Sequence, residues 1–288
     1  MFFRKAFDFF LFTSLFIAVC TVVMVYQTGF LFDFIPSPAF YWFVFFGTLS
    51  SYNFHWYLTP SAYGSSRKTN WSINHKQVHL FLFALASLGA AYTGFLLIAH
   101  WKWLLITAFI TFLYSAPKVE HPVFIFLRKI AVGKTIFLAF MWTHITSILP
   151  IAVTGIHWQT QHYLYVINRF FFLYSICILF DFRDRHEDKK AGIKSLVTFL
   201  DEKGIDILFW SCLGISLLTL LWFWKISFHW PILVLFFIPL AMVGLLHNYS
   251  KKHFSDYFYY FVLDGLMMLT GLLLLFGEYL FTFVRSIN

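Results

Sequence analysis

The stretch YLYVINRFFFLYSICILFDFRDRHEDKKAGIKSL, residues 163–196, decides the fold class of this chain. It opens with an apolar run, 163–182, and a helix needs roughly 20 such residues to cross a bilayer. Three acids, Asp181, Asp184 and Asp188, then fall at i, i+3 and i+7, on one face of a helix. Carboxylates clustered where a helix leaves the bilayer are tolerated when they are hydrated, paired with bases or bound to a hard cation such as Mg²⁺. The stretch therefore predicts a membrane helix that ends in a solvated acidic face or a cation site.

The composition excludes a soluble globular domain. The chain is 60% hydrophobic and only 12% charged, whereas soluble domains carry about 25% charged residues, and its mean hydropathy is +0.74. Its three cysteines lie inside apolar runs and match neither a disulfide nor a zinc pattern. Arg4 and Lys5 precede the first apolar run, which lacks a small-residue cleavage site, so we expect a first span rather than a leader. These features predict an all-α membrane protein with a single polytopic domain, 1–288.

About nine apolar segments are long enough, or nearly so, to cross a bilayer. The shortest is Trp101–Tyr114. Its boundary with the segment before it rests only on the residues 99–102. The predicted segments are Phe7–Phe30, Ala39–Leu58, Val78–Ala99, Trp101–Tyr114, Ile130–Ile151, Tyr163–Phe182, Ile205–Trp224, Trp230–Leu246 and Tyr257–Phe283.

The positive charges predict how the chain is oriented. With the N-terminus in the cytoplasm, most Lys and Arg residues fall in cytoplasmic segments, and only Lys102, Lys225 and Arg285 face outside. The C-terminus is then outside, which cysteine labelling of position 286 would test. The net charge of +8 is explained by a cytoplasmic collar that faces anionic membrane lipid, so it requires no nucleic acid. We expect a multi-pass protein of the bacterial inner (plasma) membrane.

Three polar elements are predicted to emerge together on the cytoplasmic side. The first is SYNFHWYLTPSAYGSSRKTN, residues 51–70, which follows the second segment. The second is LYSAPKVEHPVFIFLRKIAVGK, residues 113–134, between the fourth and fifth segments. The third is the acidic stretch with its tail, residues 181–200.

The third element resembles the second aspartate motif of the UbiA-type polyprenyltransferases, which often reads D-x-x-D-x-x-x-D followed by K-x-G-[IV]-K-[ST]-L. Tyr114 and Ser115 with Pro117 are similar to the Y-S-x-P signature that closes that family's fourth helix. Asp264 with Gly265 is similar to a D-G pair in its last helix. The resemblance covers nearly the whole chain and implies the family's bundle of nine helices. In the third element the matching residues are Asp181, Asp184, Asp188, Lys190, Gly192, Ile193, Lys194, Ser195 and Leu196.

The first element departs from the family pattern N-[DQ]-x-x-D. Asn53 matches the Asn, but Tyr57 stands at the first Asp position and Ser61 at the next. No acid occurs between Asp33 and Glu120. In the family the two motifs together hold Mg²⁺ ions against the diphosphate of a polyprenyl donor. Because about two negative charges are missing, we expect one metal instead of two, with Arg and Lys side chains neutralising the rest of the diphosphate.

The resemblance implies transfer of a polyprenyl or other isoprenoid group from a diphosphate donor to an apolar, aromatic or quinone-type acceptor, with Mg²⁺ as the cofactor. The expected catalytic residues are Asp181, Asp184 and Asp188, which with Asn53 are also the expected metal ligands. The expected substrate-binding residues are Asn53, Arg67, Tyr114, Arg128, Lys129, Lys190 and Lys194, and Lys68 is a further candidate base. The donor chain length, the acceptor and the oligomeric state are left open.

Two other interpretations are open. In the first, the protein is a catalytically degenerate relative that keeps the fold and binds an isoprenoid lipid or a partner. In the second, the acids are a solvated helix end paired with Arg183, Arg185 and Lys189.

Ionisable residues inside predicted spans need partners. Lys134 and Asp264 lie at comparable depth in the fifth and ninth segments, so we expect them to form a buried pair. Arg169 lies deep in the sixth segment, and its partner is not evident from the sequence.

Overall fold

The computed structural model describes residues 2–59, 66–118, 134–190, 195–226 and 230–287, with side chains up to residue 277 except that of Pro117. In these ranges the chain is helical and contains no strand. The helices are α1 Phe2–Phe12, α2 Leu15–Leu31, α3 Pro38–Tyr57, α4 Arg67–Asn74, α5 Lys76–Leu96, α6 Trp101–Ser115, α7 Lys134–Thr154, α8 Thr160–Lys190, α9 Leu196–Phe199, α10 Glu202–Ile226, α11 Trp230–Ser250 and α12 Asp264–Ile287. Short turns at Ile98–His100 and Ala116–Lys118 flank α6, and a π-helical turn, Phe258–Leu263, leads into α12.

The predicted all-α membrane fold is confirmed, and each of the nine predicted segments overlaps a helix. Within the described residues, seven helices are long and apolar enough to cross a membrane. The pair α1 and α2, bent by 58°, makes an eighth if it is one span. The segment Ala39–Leu58 corresponds to α3, which has 20 residues but is not among the seven. The reason is its polar second half, which carries Ser50, Ser51, Asn53 and His55. The orientation across the membrane stays a prediction.

Serine side chains cap the first turns of three helices. The Ser37 hydroxyl accepts a hydrogen bond from the Phe40 amide at the start of α3. The Ser66 hydroxyl does the same for Thr69, so α4 begins at Arg67. Ser195 forms a capping box with Thr198 at the start of α9. Each cap pairs an amide that the first helical turn leaves without a partner, and the cap at Ser66 fixes where Arg67 and Lys68 enter the bundle.

The helix α8 is the central element of the bundle. Leu173, Ile176 and Ile178 on it are fully buried. By contrast α5 and α6 lie at the periphery and expose large apolar side chains such as Leu88, Phe95 and Phe109, as expected of helices that face lipid. The acidic end of α8 therefore emerges at the centre of one end of the bundle, where the other helices can surround it.

The break between α1 and α2 is bridged by Asn53 of α3. Ser14 adopts a left-handed backbone conformation with φ of 66°, which interrupts the helix. The Asn53 amide group donates to the carbonyl oxygens of Thr13 and Leu49, at 3.0 and 2.8 Å. The Asn53 amide oxygen lies 2.7 Å from His79 Nδ1 and accepts a hydrogen bond from it. Asn53 thus ties α1, α3 and α5 together.

Arg169 lies 3% exposed inside the bundle. Its guanidinium donates to the Gln27 side-chain oxygen at 2.9 Å, and it lies 5.5 Å from the centre of the Tyr165 ring. The partner that the sequence left open is therefore a neutral amide with an aromatic face. The contact fixes α8 against α2.

Pro239 interrupts the hydrogen bonding inside α11, because it has no N–H to offer to the Leu235 carbonyl. The Thr270 hydroxyl on α12 donates to that carbonyl at 3.2 Å. We expect the substitution Thr270→Val to lower the free energy of unfolding by about 1 kcal/mol, because it leaves the carbonyl unpaired. Thermal unfolding in detergent would measure it. The double variant Pro239→Ala, Thr270→Val should recover the loss, since Ala restores the missing N–H; an unaltered midpoint in Thr270→Val would contradict the account.

Candidate functional site

The three acids of the third element each contact a different protein group. The Thr135 hydroxyl donates to the Asp181 carboxylate. The Lys134 ammonium lies 3.1 Å from the Asp188 carboxylate, whose side chain is 0% exposed. Arg183 donates to Asp184 at 2.8 Å, and Asp184 is the accessible acid of the three, with its side chain 39% exposed. The predicted pair of Lys134 with Asp264 is wrong: Lys134, at the start of α7, forms its ion pair with Asp188.

Tyr114 brings the second element against the first. Its ring stacks on the ring of His55 at a centroid distance of 4.9 Å. Asp181, Asp184 and Lys134 lie within electrostatic range of its hydroxyl. The turn after α6 adds Lys118, whose ammonium donates to the Thr59 hydroxyl at 2.6 Å and to the His55 carbonyl at 3.4 Å. The described parts of the three polar elements therefore meet at one end of the bundle.

Lys68 enters the same region from α4 and is 3% exposed. Its ammonium lies 3.8 Å from the centre of the Tyr260 ring and 4.7 Å from that of Trp56. Burial lowers the pKa of Lys68, and the nearby carboxylates Asp264 and Asp256 offset this only in part. No carboxylate lies within ion-pair distance of this ammonium among the described residues.

Arg183 links the acidic end of α8 to the last helices. Besides contacting Asp184, it donates to the Tyr260 hydroxyl at 2.9 Å and lies 3.7 Å from Asp256. Asp256 in turn accepts from the Lys68 backbone amide at 2.7 Å. Asp264 is buried within electrostatic range of Lys68 and Arg183. These contacts hold α4 and the start of α12 against the site.

Several residues expected at the site have other roles here. Asn53 makes three hydrogen bonds to protein groups, and its role as a metal ligand stays a prediction. Arg67 points outward and forms an ion pair with Asp8. Its guanidinium lies 5.4 Å from the centre of the Tyr257 ring. Lys190 is exposed and pairs with Glu187 at 3.4 Å. Arg128, Lys129 and Lys194, together with Ser61, Gly192 and Ile193, lie outside the described residues.

The three acids do not converge on one point. In the described ranges no group of three His, Cys, Asp or Glu side chains could hold a metal ion, and each of the three acids contacts a protein group instead. Two carboxylates completed by water and a substrate phosphate would be an ordinary donor set for Mg²⁺.

A small apolar cavity lies near this site. The space inside it holds about one water molecule, so it is much smaller than an ordinary ligand pocket. Its lining residues are Thr21, Gly47, Thr48, Ser51, Tyr52, Thr111, Met141, Trp142 and Ile145. Tyr52 on α3 and Thr111 on α6 stand three residues before His55 and Tyr114, which is about 4.5 Å along a helix axis. The cavity therefore begins about one helical turn below the charged site.

The model of the UbiA prenyltransferase family matches residues 71–262, two thirds of the chain. The chain belongs to this family. No curated protein and no solved structure matches it. The UbiA match begins after Asn70 and therefore leaves out the first element, the one that departs from the pattern. With its seven or eight candidate spans, the chain is a multi-pass membrane protein of a prenyltransferase family.

The sequence named Lys68 as a candidate base and Arg183 as a possible partner of the acids, and the structure packs both against this UbiA site. His55 is packed there as well, with its ring stacked on Tyr114. Lys68 was grouped with Arg67, but the two point in different directions. The cap at Ser66 was a usable signal for where α4 begins, although not for which base turns inward.

Proposed function

We propose that the protein transfers an isoprenoid group from a diphosphate donor to an apolar, aromatic or quinone-type acceptor in the membrane. One observation carries the proposal: a charged site at the end of the bundle lies about one helical turn from a small apolar cavity between α3, α6 and α7. These two environments suit an amphipathic donor with a charged head and an apolar tail, and the cavity has to widen when the tail binds. Asp181, Tyr114 and Lys134 mark the head site, and Tyr52 and Trp142 mark the cavity.

In this proposal Asp181 and Asp184 hold one Mg²⁺, and Asp188 serves as the counter-ion of Lys134. When bound, the ion supplies positive charge that neutralises the departing diphosphate. The bond between the first carbon of the donor chain and the diphosphate oxygen breaks, and its electron pair leaves with the diphosphate. An acceptor atom then bonds to that carbon and releases a proton.

The protein's own residues hold the proposed metal ligands and the walls of the cavity in place. Arg183 restrains the Asp184 carboxylate through its 2.8 Å contact, and Thr135 restrains Asp181 in the same way. The Trp142 indole donates to the Tyr52 hydroxyl at 3.1 Å, which fixes two ring faces along the cavity. Aromatic faces stabilise nearby positive charge, so these rings suit a carbon centre that becomes cationic as the diphosphate leaves.

Turnover tests the proposal directly. Purified protein in detergent is supplied with Mg²⁺, labelled prenyl diphosphates of several lengths and a panel of phenolic and quinone-type acceptors. Metal-dependent formation of prenylated acceptor supports it. Saturable diphosphate binding with no product for any donor and acceptor contradicts it and favours a non-catalytic relative. This second candidate is also supported by the contacts that all three acids make with protein groups.

Gly47 offers a test of the cavity as the tail site. It lines the cavity, and a Cβ added to it would meet no atom within 4 Å. We expect the substitution Gly47→Leu to lower turnover of a geranylgeranyl donor about tenfold more than that of a geranyl donor, because the leucine occupies room for the longer tail. Gly214→Leu is the matched control, since Gly214 on α10 also has open space around it and does not line the cavity. Equal effects on both donors would place the tail elsewhere.

A further inference from the structure

Arg169 carries a positive charge deep inside the bundle, far from the acidic end of α8. It precedes Asp181 by about 18 Å along the helix axis. Its guanidinium donates to the Gln27 side-chain oxygen at 2.9 Å, and to the carbonyls of Met24 and Met267 at 3.4 and 3.5 Å. These partners are all neutral. No carboxylate of the described residues lies within ion-pair distance of Arg169.

The charge of Arg169 has to be balanced, because a guanidinium stays protonated in a protein. A buried charge without a counter-ion is strongly unfavourable, and ionisable residues within membrane helices pair with other groups. Arg183 on the same helix shows the ordinary solution, since it lies 2.8 and 3.7 Å from the carboxylates of Asp184 and Asp256. Arg169 has no such neighbour in the part of the chain that the structure describes. An anion from solution would supply the missing negative charge.

Two unpaired donors show which kind of ligand is needed. The Arg169 Nε and the Gln27 side-chain nitrogen are both buried and have no hydrogen-bond partner. A buried polar group without a partner is unfavourable, and both of these nitrogens can only donate. The group that satisfies them is therefore an acceptor, which agrees with the sign that the charge requires.

A cavity beside Arg169 limits the size of the ligand. It lies between α8, α10, α11 and α12 and has room for about one water molecule. Its polar lining comes from Asn168, Arg169, Ser216 and Thr270, and none of the described lining residues is an acid. A chloride ion is only slightly larger than a water molecule, whereas a sulfate ion or a carboxylate ligand is too large for this space.

We propose that Arg169 binds a chloride ion in this cavity. The Nε–H group donates to the ion, while Gln27 holds the other end of the guanidinium against α2. The ion balances the buried charge and joins α8 to the three helices that enclose the cavity, so it stabilises the bundle. The inference goes beyond the proposed prenyl transfer and does not depend on it.

Thermal unfolding in detergent tests the chloride site. The protein is purified in sodium gluconate and transferred to sodium chloride at constant ionic strength. We expect the midpoint to rise by at least about 3 °C at saturating chloride, because a ligand that binds only the folded state stabilises it. Bromide should act like chloride, and sulfate should not. If the ion survives purification in gluconate, ion chromatography of the denatured protein should instead find about one chloride per chain.

Gln27→Glu is the most informative variant. It places a carboxylate where the native amide oxygen lies 2.9 Å from the guanidinium, so the protein supplies its own counter-ion. We expect this variant to be as stable in gluconate as the native protein is in chloride, and to neither respond to chloride nor retain it. Gln77→Glu is the matched control. It makes the same change at an exposed position of α5 and should keep the native behaviour.

Arg169→Met is a second variant, which removes both the charge and the unpaired donor. It should also lose the response to chloride and the retained ion, whatever its own stability. A native protein that neither responds to chloride nor retains it overturns the inference and assigns the cavity to water alone. An equal response to sulfate, or a chloride response that Gln27→Glu shares with Gln77→Glu, overturns it as well.

Discussion

Replacing Asp184 by asparagine is expected to lower Mg²⁺-dependent prenyl transfer by about 100- to 1000-fold, the usual cost of removing one group that stabilises developing charge. Asp184 is the most accessible acid of the motif, with 39% of its side chain exposed. Its loss removes one of the two carboxylates proposed to hold the metal. The measurement is the initial rate of product formation at saturating donor over a series of Mg²⁺ concentrations.

Glu187→Gln is the control for Asp184→Asn. Glu187 lies one turn further along α8, is 43% exposed and pairs with Lys190 at the surface. Its substitution removes the same charge from the same helix without touching the site, so the rate should stay within a factor of about two. An Asp184→Asn rate within threefold of the native rate would return the acids to the interpretation of a solvated helix end.

Replacing Lys134 by methionine is expected to destabilise the protein by about 3 kcal/mol, because breaking a buried ion pair leaves a charge insufficiently compensated. The Lys134 ammonium lies 3.1 Å from a carboxylate with no exposed surface. Asp188→Asn should cost less, since Lys134 is 29% exposed and its ammonium can turn to water. Thermal unfolding in detergent, followed by intrinsic fluorescence, measures both losses.

The double variant Lys134→Met, Asp188→Asn should recover much of the loss, because neither charge is then left behind. Lys251→Met is the comparison at a more exposed pair, where Lys251 lies 2.8 Å from Asp206, and a loss below about 1 kcal/mol is expected there. Additive losses in the double variant would show that Lys134 and Asp188 do not stabilise each other.

The sequence by itself determined the fold class, since apolar runs of membrane length leave only helices as a solution for the backbone. The family followed from short motifs, because spacings such as that from Asp181 to Asp188 are local and survive in a single sequence. The absence of acids around Tyr57 is equally visible in the sequence, and it predicts fewer metal ligands than the family pattern provides.

Only the tertiary structure decided which charges meet. Lys134 lies close to Asp181 and Asp188 because α7 packs along α8, and no pattern within either helix specifies that register. Arg67 and Lys68 are neighbours in sequence, yet successive positions on a helix point about 100° apart. The packing of α4 against Trp56 and Tyr260 therefore buries Lys68 and leaves Arg67 to pair with Asp8. Which side chains pair in a helical bundle depends on how the helices pack against each other, and the periodicity of a single helix does not specify that packing.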